Sequence, residues 1–414
     1  MSRSNLTKIC HLREDQLLGL VRKCDSAIKR KKFTASSIVR YCVTLLVRLW
    51  ANRKAIPPCK NILVLSPRLK RSFEEDILRY EKILKRFDGV QPVSLSDARL
   101  GMLDILAHTK ALIEFVFFYR KCTKGQKDIL GRTYKDYFSA MVMAGFLKKI
   151  VQEHVIFYGG SYYTTYFFMA IKLREGGIKT IIYLNSPLLD RDDIMYVDEV
   201  VLYHSWQRDH AKKILRADKY TLGSCECSYL VPPYRRSDER KRNSVAIYSS
   251  GTYIRYRLNF HRRERLREYL SSEVLMTKVM ESYARKYASI VLRIFLHPGI
   301  EDRGEARQFY SRLLCLANVR ISDDGRSQDS FDDYELGISS ISATLFERIE
   351  GGHKSCFVFP SRFFDVFRVT PLRNIVVENY DNAIERIECM RLMPRSEYFK
   401  SIGFSEVPCL QEDV

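Results

Sequence analysis

Several motifs that would identify a nucleotide-binding or hydrolytic enzyme are missing from the chain. No GxGxxG follows a predicted strand, no GxxxxGK[ST] occurs, and GxSxG is not found. These motifs form the glycine turn of dinucleotide-binding folds, the phosphate cradle of P-loop enzymes and the nucleophile turn of α/β-hydrolases. Their absence removes the main support for NAD binding, P-loop ATP hydrolysis and serine hydrolysis.

The sequence also lacks a secretory signal and a paired set of cysteines. No uninterrupted apolar stretch with a small-residue cleavage site stands near the N-terminus. The 11 cysteines are scattered singly, apart from Cys225 and Cys227. A zinc site needs a second ligand pair, and no CxxC or HxxxH lies near these two. We therefore expect reduced thiols in a cytoplasm and no bound metal.

Acidic residues are few relative to basic ones. The chain has 49 Asp and Glu against 69 Lys and Arg, a net charge of +20. This charge favours anionic partners: nucleic acid, an anionic membrane surface or phosphorylated substrates. The hydrophobic fraction of 46% excludes general disorder, and a length of 414 residues suits two domains better than one core.

Residues 1–56 are predicted to form a basic helical extension. Residues 38–50 are apolar, but Arg40 and Arg48 interrupt them, and the run is too short to span a bilayer. Two interpretations stay open. The extension is either an interfacial helix at an anionic membrane or a helical cap on the first domain.

Residues 57–232 are predicted to form a Rossmann-like domain. Its β-prone segments are 61–67, 90–95, 155–163, 179–187 and 198–205, with helical patterns between them. Strands that alternate with helices indicate βαβ units and a parallel sheet.

A proline-marked, charged segment at 231–243 is the predicted linker, and the same alternation restarts after it. The second domain covers 233–395, followed by a tail at 396–414. Its β-prone segments are 244–248, 290–296, 318–322, 335–338, 356–359 and 374–378, and a closing helix covers 382–390. This layout predicts a second Rossmann-like sheet.

Two short phrases in the second domain place polar groups directly after predicted strands. In the first, a strand stops at His297 and Pro298; in the second, Ser339, Ser340 and Ser342 follow a strand and open a helix. Open α/β sheets bind ligands at the carboxyl ends of their strands, and a helix N-terminus with free N–H groups favours phosphate. The pair predicts a pocket for a nucleotide monophosphate or diphosphate.

Each phrase alone has a simpler explanation. His-Pro after a strand is often a plain turn, and serines before a helix are commonly N-caps. Their occurrence in βα loops of the same half favours a binding site. Ser249, Ser250 and Gly251 follow the strand at 244–248 and would line the same crevice.

The segments FLHPGIE and LGISSISATLFE resemble the C-terminal half of GT-B glycosyltransferases of bacterial surface polysaccharide synthesis. The pattern is similar to the HP and serine motifs of polysialyltransferases and related enzymes that use CMP-activated sugars. A similar combination occurs in CDP-glycerol glycerophosphotransferases. The order of elements from Asn61 to Met390 agrees with the GT-B plan of two Rossmann-like domains that face a central cleft.

The resemblance implies transfer of a sugar from a nucleotide-activated donor, with CMP-sugar favoured, to a saccharide or lipid-linked acceptor in capsule or O-antigen synthesis. A polyol-phosphate transferase of the CDP-glycerol type is the alternative. By the same resemblance His297 contacts the donor phosphate, Pro298 shapes its loop, the three serines of the second phrase hold phosphate oxygens, and Glu347 receives the ribose hydroxyls. GT-B enzymes need no obligatory metal, and direct displacement with inversion is the implied mechanism.

The general base is harder to place. Polysialyltransferases present an acid after the strand that corresponds to 179–184, where this sequence has Asn185, and a nearby acid is Asp190. Asp97, after the second strand, is another candidate base. On the acceptor side we expect Gly159, Gly160, Ser161 and Asn185.

Two other classes of function stay open. Arginines interleaved with Tyr and Phe at 234–242 and 253–269 are typical of some RNA-binding surfaces, although no RNA-recognition signature is found. The absence of an acid after Leu184 would also fit a catalytically silent scaffold. A basic cytoplasmic protein in peripheral contact with an anionic membrane suits lipid-linked acceptors.

Overall fold

The structure is a computed structural model that describes residues 35–51, 56–64, 83, 86–93, 99–120, 124–158, 164–184, 194–202, 207–222, 243–258, 263–297, 303–322, 328–359, 367, 370–405 and 407. The chain separates into two compact units, and the main boundary between them falls between residues 224 and 225. Each unit contains a parallel sheet of six strands.

The first unit is an α/β sheet of strand order β2-β1-β3-β4-β5-β6, parallel throughout. The strands are β1 Cys59–Val64, β2 Val90–Val93, β3 Val151–Tyr158, β4 Lys179–Tyr183, β5 Tyr196–Leu202 and β6 Arg216–Leu222. Buried β-branched and aromatic residues dominate the central strands, as a sheet covered on both faces requires.

Five helices accompany this sheet within the described residues. They are α1 Ala35–Ala51, α2 Met102–Arg120, α3 Lys124–Ile150, α4 Thr164–Glu175 and α5 Arg208–Ile214. The core between α3 and α4 is aromatic: Phe138, Phe167 and Phe168 are fully buried, and Tyr137 packs edge-on against Phe168. These contacts attach the helical layer to the sheet.

The predicted helix at 38–50 is confirmed as α1, and its inner face belongs to the core of the first unit. Ile38, Cys42 and Leu49 are buried there, and α1 packs against α2 and α3. The described part of the extension therefore packs as a helical cap on the first unit. No helix of the described chain combines the length and hydropathy needed to cross a membrane.

The second unit has the strand order β12-β11-β10-β7-β8-β9, again parallel. The strands are β7 Ser244–Tyr248, β8 Val291–Phe295, β9 Val319–Ile321, β10 Leu336–Ser339, β11 Lys354–Val358 and β12 Val376–Val377. In order of appearance this is 6-5-4-1-2-3, the order of a dinucleotide-binding Rossmann sheet.

Seven helices connect and follow these strands within the described residues. They are α6 Thr252–Leu258, α7 Arg263–Lys286, α8 Arg303–Phe309, α9 Ser311–Leu314, α10 Ala343–Glu350, α11 Ala383–Leu392 and α12 Arg395–Ser401, and 3₁₀ turns lie at Gln328–Asp333 and Pro371–Ile375. The predicted fold class, α/β with two Rossmann-like domains as in GT-B, is confirmed by the two sheets.

Several described elements were not predicted, among them β6, α6, α8, α9 and α12. Strand β6 pairs with β5, although its RADKYTL sequence carries three charges and resembles a loop. Helix α6 follows the Ser-Gly turn, and α12 occupies the start of the predicted tail. The predicted strand at 374–378 is shorter than expected, because a 3₁₀ turn leaves two residues in β12. The predicted linker at 231–243 lies outside the described residues, apart from its last residue.

Candidate functional site

The strand order of the second sheet creates a switch point between β7 and β10. Strands β8 and β9 lie on one side of β7, and strands β10, β11 and β12 lie on the other. The connections leave the sheet in opposite directions at such a point, and ligands of open α/β folds bind in the crevice outside the carboxyl ends there. The loops after β7, β8 and β10 share this edge, because β7 lies between the other two strands.

The turn after β7 is organised around a buried carboxylate. Glu273, on α7, is fully buried and accepts hydrogen bonds from the backbone N–H groups of Ser250 (3.0 Å) and Thr252 (2.9 Å). It also accepts from the hydroxyls of Ser249 (3.0 Å) and Tyr310 (3.2 Å). A buried charge needs such partners, and these four bonds hold the turn in one conformation.

Gly251 completes this turn at a positive φ of 61°. Its N–H donates to the Ser249 hydroxyl at 3.1 Å, so the chain reverses within a few residues. Only glycine adopts this backbone without cost. The start of the turn is also tied to the end of β8, because the Ser249 N–H donates to the Phe295 carbonyl at 2.9 Å.

The loop after β10 meets the β7 turn directly. The Ser339 hydroxyl donates to the Tyr248 carbonyl at 2.6 Å, and the Ser340 hydroxyl lies 3.5 Å from that of Ser250. Ser339 and Ser340 are both buried. The structure therefore brings the predicted serines of both loops together, as a buried hydroxyl layer beneath the edge of the sheet.

Ser342 is the N-cap of α10, which is the simpler role that the sequence allowed for the serines of the second phrase. Its backbone is extended, and its hydroxyl accepts a hydrogen bond from the Thr344 N–H at 3.2 Å. Ser342 is partly exposed, so the cap and the first turn of α10 lie at the surface of the site. The positive end of the α10 dipole points to the same place.

His297 and Glu347 are the other predicted donor-site residues that the structure describes. His297 lies two residues beyond the end of β8, and Glu347 lies in the second turn of α10; both are partly buried and both have interaction partners. Together with Ser342 they are the partly exposed polar groups that the sequence assigned to this edge. Their predicted roles toward a nucleotide stay predictions.

The position of α10 against the sheet depends on Arg348, which is fully buried. Its guanidinium donates to the Tyr248 hydroxyl (3.1 Å) and to the carbonyls of Phe331 (3.2 Å) and Tyr334 (2.9 Å). Burial raises the pKa of Tyr248, so this hydroxyl stays protonated. A Cβ on Gly337 would overlap the Arg348 side chain, which explains glycine in the middle of β10.

The remaining predicted site residues lie outside the described residues. They are Pro298 of the donor loop, the candidate bases Asp97 and Asp190, and the acceptor-side residues Gly159, Gly160, Ser161 and Asn185. Across the described chain, no three His, Cys, Asp or Glu side chains converge as a metal ligand set would. The expectation that no metal is required stays a prediction.

Glu273 and Tyr310 were not predicted as part of this edge. Both lie inside helical patterns or turns that look ordinary in the sequence, and their partners stand more than twenty residues away along the chain. A buried acid in an amphipathic helix is the one signal that the sequence carried for Glu273. That signal does not identify the turn to which the carboxylate binds.

Comparisons with known proteins find structural similarity but no sequence family. No protein-family model and no curated protein sequence matches the chain. A UDP-GlcNAc 2-epimerase from Neisseria meningitidis bound to UDP-GlcNAc is similar at a TM-score of 0.49 and 12% identity, over 84% of this chain and 95% of that one. MurG from Acinetobacter baumannii gives a TM-score of 0.44 at 14% identity, over 83% and 93% of the two chains.

A mutant O-GlcNAc transferase from Thermobaculum terrenum gives a TM-score of 0.44 at 10% identity, over 93% of this chain and 73% of that one. Since these TM-scores lie below 0.5, the fold class is assigned from the strand order of the two sheets.

Proposed function

We propose that this protein is a nucleotide-sugar-dependent glycosyltransferase of surface polysaccharide synthesis. It would move a sugar from a nucleotide-activated donor, with CMP-sugar favoured, to a saccharide or lipid-linked acceptor. The nucleotide would bind at the β7/β8/β10 edge of the second unit. The reaction would be a direct displacement at the anomeric carbon, with inversion and without an obligatory metal.

The observation that carries the proposal is the meeting of three polar loops at the switch point of a Rossmann sheet. A rigid turn after β7, an imidazole after β8 and a serine-capped helix after β10 lie at adjacent strand ends. Buried hydrogen bonds hold two of these loops in place, as a preorganised site would require. Such preorganisation is what stabilises charge on a reacting group at low cost.

The chemistry follows from what a leaving nucleotide requires. As the glycosidic bond breaks, negative charge grows on the phosphate, and fixed donors must stabilise it. The α10 N-terminus with Ser342, and the imidazole of His297, are donors of that type. Glu347, one turn further along α10, would accept hydroxyl groups of a ribose.

Two parts of the proposal depend on residues that lie outside the described ranges. Asp97 or Asp190 would take the proton from the acceptor hydroxyl, and Gly159, Gly160, Ser161 and Asn185 would contact the acceptor. A position at the inner face of a membrane is also part of the proposal, since a lipid-linked acceptor is held there.

The test is a thermal-shift panel with CMP, CDP, UDP, GDP and a short RNA oligonucleotide. A ligand that binds the native state raises the melting temperature by mass action. We expect a rise with one nucleotide that is lost in His297→Ala and in Ser342→Gly. Glycine keeps most of the N-cap preference and removes the hydroxyl, so the helix itself should stay intact. Ser271→Ala, an exposed serine on α7, is the matched control.

Each outcome of the panel has a definite meaning. Transfer of a polyol phosphate from a CDP-activated donor releases CMP, so a response to both CDP and CMP would favour the polyol-phosphate transferase. A response to RNA alone that high salt abolishes would replace the transferase with a nucleic-acid-binding protein. A nucleotide response that survives both variants would show that the phosphate does not bind at this edge.

A further inference from the structure

The exposed large apolar side chains of the described chain concentrate on two helices of the first unit. They are Tyr41, Val43, Val47 and Trp50 on α1, and Met102, Leu103, Leu106, Ile113 and Phe117 on α2. Leu103 is 82% exposed and Trp50 is 57% exposed. The second unit, by contrast, exposes such residues singly, as at Leu392 and Tyr380, which is normal for a protein surface.

The exposed residues of α1 form one face. Val43, Val47 and Trp50 stand at i, i+4 and i+7, which places them along one side of a helix. The opposite side is buried in the core of the first unit, as Cys42 and Leu49 show. Helix α1 therefore has two apolar sides, of which packing within the chain explains one.

Helix α2 repeats this arrangement. Leu103, Leu106, Ile113 and Phe117 follow helical spacing on the outer side. The inner side is anchored independently, because Phe115 stacks on Tyr134 of α3 with ring centroids 3.4 Å apart. The outer residues are thus not required to hold α2 in place.

The two outer sides are neighbours. Helices α1 and α2 pack against each other, and the Leu100 N–H, just before α2, donates to the Leu49 carbonyl of α1 at 3.4 Å. We call the exposed residues of the two helices the α1/α2 outer face. Extended exposed apolar faces of this kind mark sites of protein or membrane interaction.

Basic residues accompany this face. Helix α1 contains no acid, and Arg40 and Arg48 are exposed on it. On α2, Lys110 falls within the apolar row, and Asp104 is paired with Lys149 at 2.6 Å. Glu114 is the exposed acid of α2. The balance favours an anionic partner, and long basic side chains at the border of an apolar face suit lipid headgroups.

We propose that the α1/α2 outer face docks on an anionic lipid bilayer. The apolar row of each helix would enter the boundary between headgroups and acyl chains, Trp50 would lie at that boundary, and the arginines would contact lipid phosphates. The inference deepens the proposed function, and rests on it, because it names the surface at which a lipid-linked acceptor would be met.

Charge argues against a second copy of the chain as the occupant. A two-fold dimer places one surface patch against the same patch of its partner. Arg40, Arg48 and Lys110 of both copies would then be brought into one apolar interface, with Glu114 as the exposed acid of α2. A bilayer with anionic headgroups satisfies both the apolar rows and the basic residues.

Vesicle sedimentation of the full chain, without nucleotide, tests the inference separately from catalysis. We expect binding to phosphatidylcholine vesicles that contain a quarter phosphatidylglycerol, and clearly less binding to phosphatidylcholine alone or at high salt. The double variant Val47→Ser, Trp50→Ser should lose roughly tenfold or more of the partition, since it removes two apolar side chains from the contact. Arg40→Gln with Arg48→Gln should weaken binding to the anionic vesicles alone.

The matched control is Tyr380→Ser with Leu392→Ser, which removes two exposed apolar side chains from the second unit and should leave partition unchanged. Thermal melts establish that each variant folds, and Leu103→Ser with Phe117→Ser on α2 replaces the α1 variant if that one does not.

Equal binding by variants and wild type would overturn the proposal. Self-association that the same variants abolish, without vesicle binding, would identify the face as an interface between copies. Vesicle binding without any nucleotide response would retain this surface and reject the transferase.

Discussion

Glu273 organises the turn after β7, although no sequence pattern assigned it to the candidate site. Its carboxylate accepts two backbone N–H groups and two hydroxyls, and all of these partners are buried or adjacent to buried residues. Its position on α7 keeps the β7 turn in register with the loop after β10. The predicted serines of the turn are therefore oriented by a residue from a different element.

We predict that Glu273→Gln lowers the free energy of unfolding by about 1 to 3 kcal/mol, because an amide NH₂ replaces one acceptor oxygen and leaves a buried donor unpaired. Chemical denaturation measures the change. Glu281→Gln on the same helix is the control: its pairing with Arg285 is a surface ion pair, which contributes little. Equal effects of the two substitutions would contradict the importance of the buried carboxylate.

At the scale of elements, the Tyr398 hydroxyl of α12 bonds this helix to strand β11 of the second sheet. Strand β12 pairs with Phe357 and Val358, so Ser355 lies beyond its end. The Tyr398 hydroxyl accepts from the Ser355 N–H at 2.9 Å and donates to the Ser355 carbonyl at 2.5 Å. A helix side chain thus supplies the bonds that a longer strand would have made.

Tyr398→Phe should therefore destabilise the protein by about 1 to 3 kcal/mol, since two buried backbone groups lose their partner. The expected observation is a lower denaturation midpoint, with faster hydrogen exchange of the Ser355 amide. Tyr380→Phe is the matched control, because its hydroxyl bonds Ser282 at an exposed position. An unchanged Ser355 exchange rate in Tyr398→Phe would show that this amide is protected by other means.

Sequence patterns predicted elements best where the signal is local. Local patterns predicted the strands at the centre of both sheets, the helix α1 and the helix α10 that follows the serines. Strand β6 was missed because its alternating charges resemble a loop, and it becomes a strand through pairing with β5. Helix α12 was missed because a Pro and polar residues precede it, while Tyr398 and Phe399 are buried by tertiary packing.

At the scale of the whole molecule, stability should depend on pH through two histidines of the first unit. Burial lowers the pKa of His108 and of His154, and His154 bonds Asn61 at 2.9 Å. The folded state therefore binds fewer protons than the unfolded chain when the pH is just below the usual histidine pKa. Stability is full above that pKa and decreases as the pH falls through it toward the lowered values.

The expected result is a lower unfolding midpoint at about pH 5.5 than at about pH 7.5, the range in which histidines titrate. A combined His108→Gln, His154→Gln variant should show a smaller difference between the two pH values. If wild type and variant lose stability equally over this range, groups other than these histidines control it.

The sequence alone determined the fold class, most of the strands and the grouping of His297 with two serine loops in one half of the chain. Those features depend on hydrophobic periodicity and on residues close together in the chain. The tertiary structure alone decided that β7 lies between β8 and β10, that Glu273 holds the turn, that Arg348 fixes α10 and that α1 and α2 present apolar faces outward. Each of these depends on partners far apart in the chain, whose contacts no local pattern specifies.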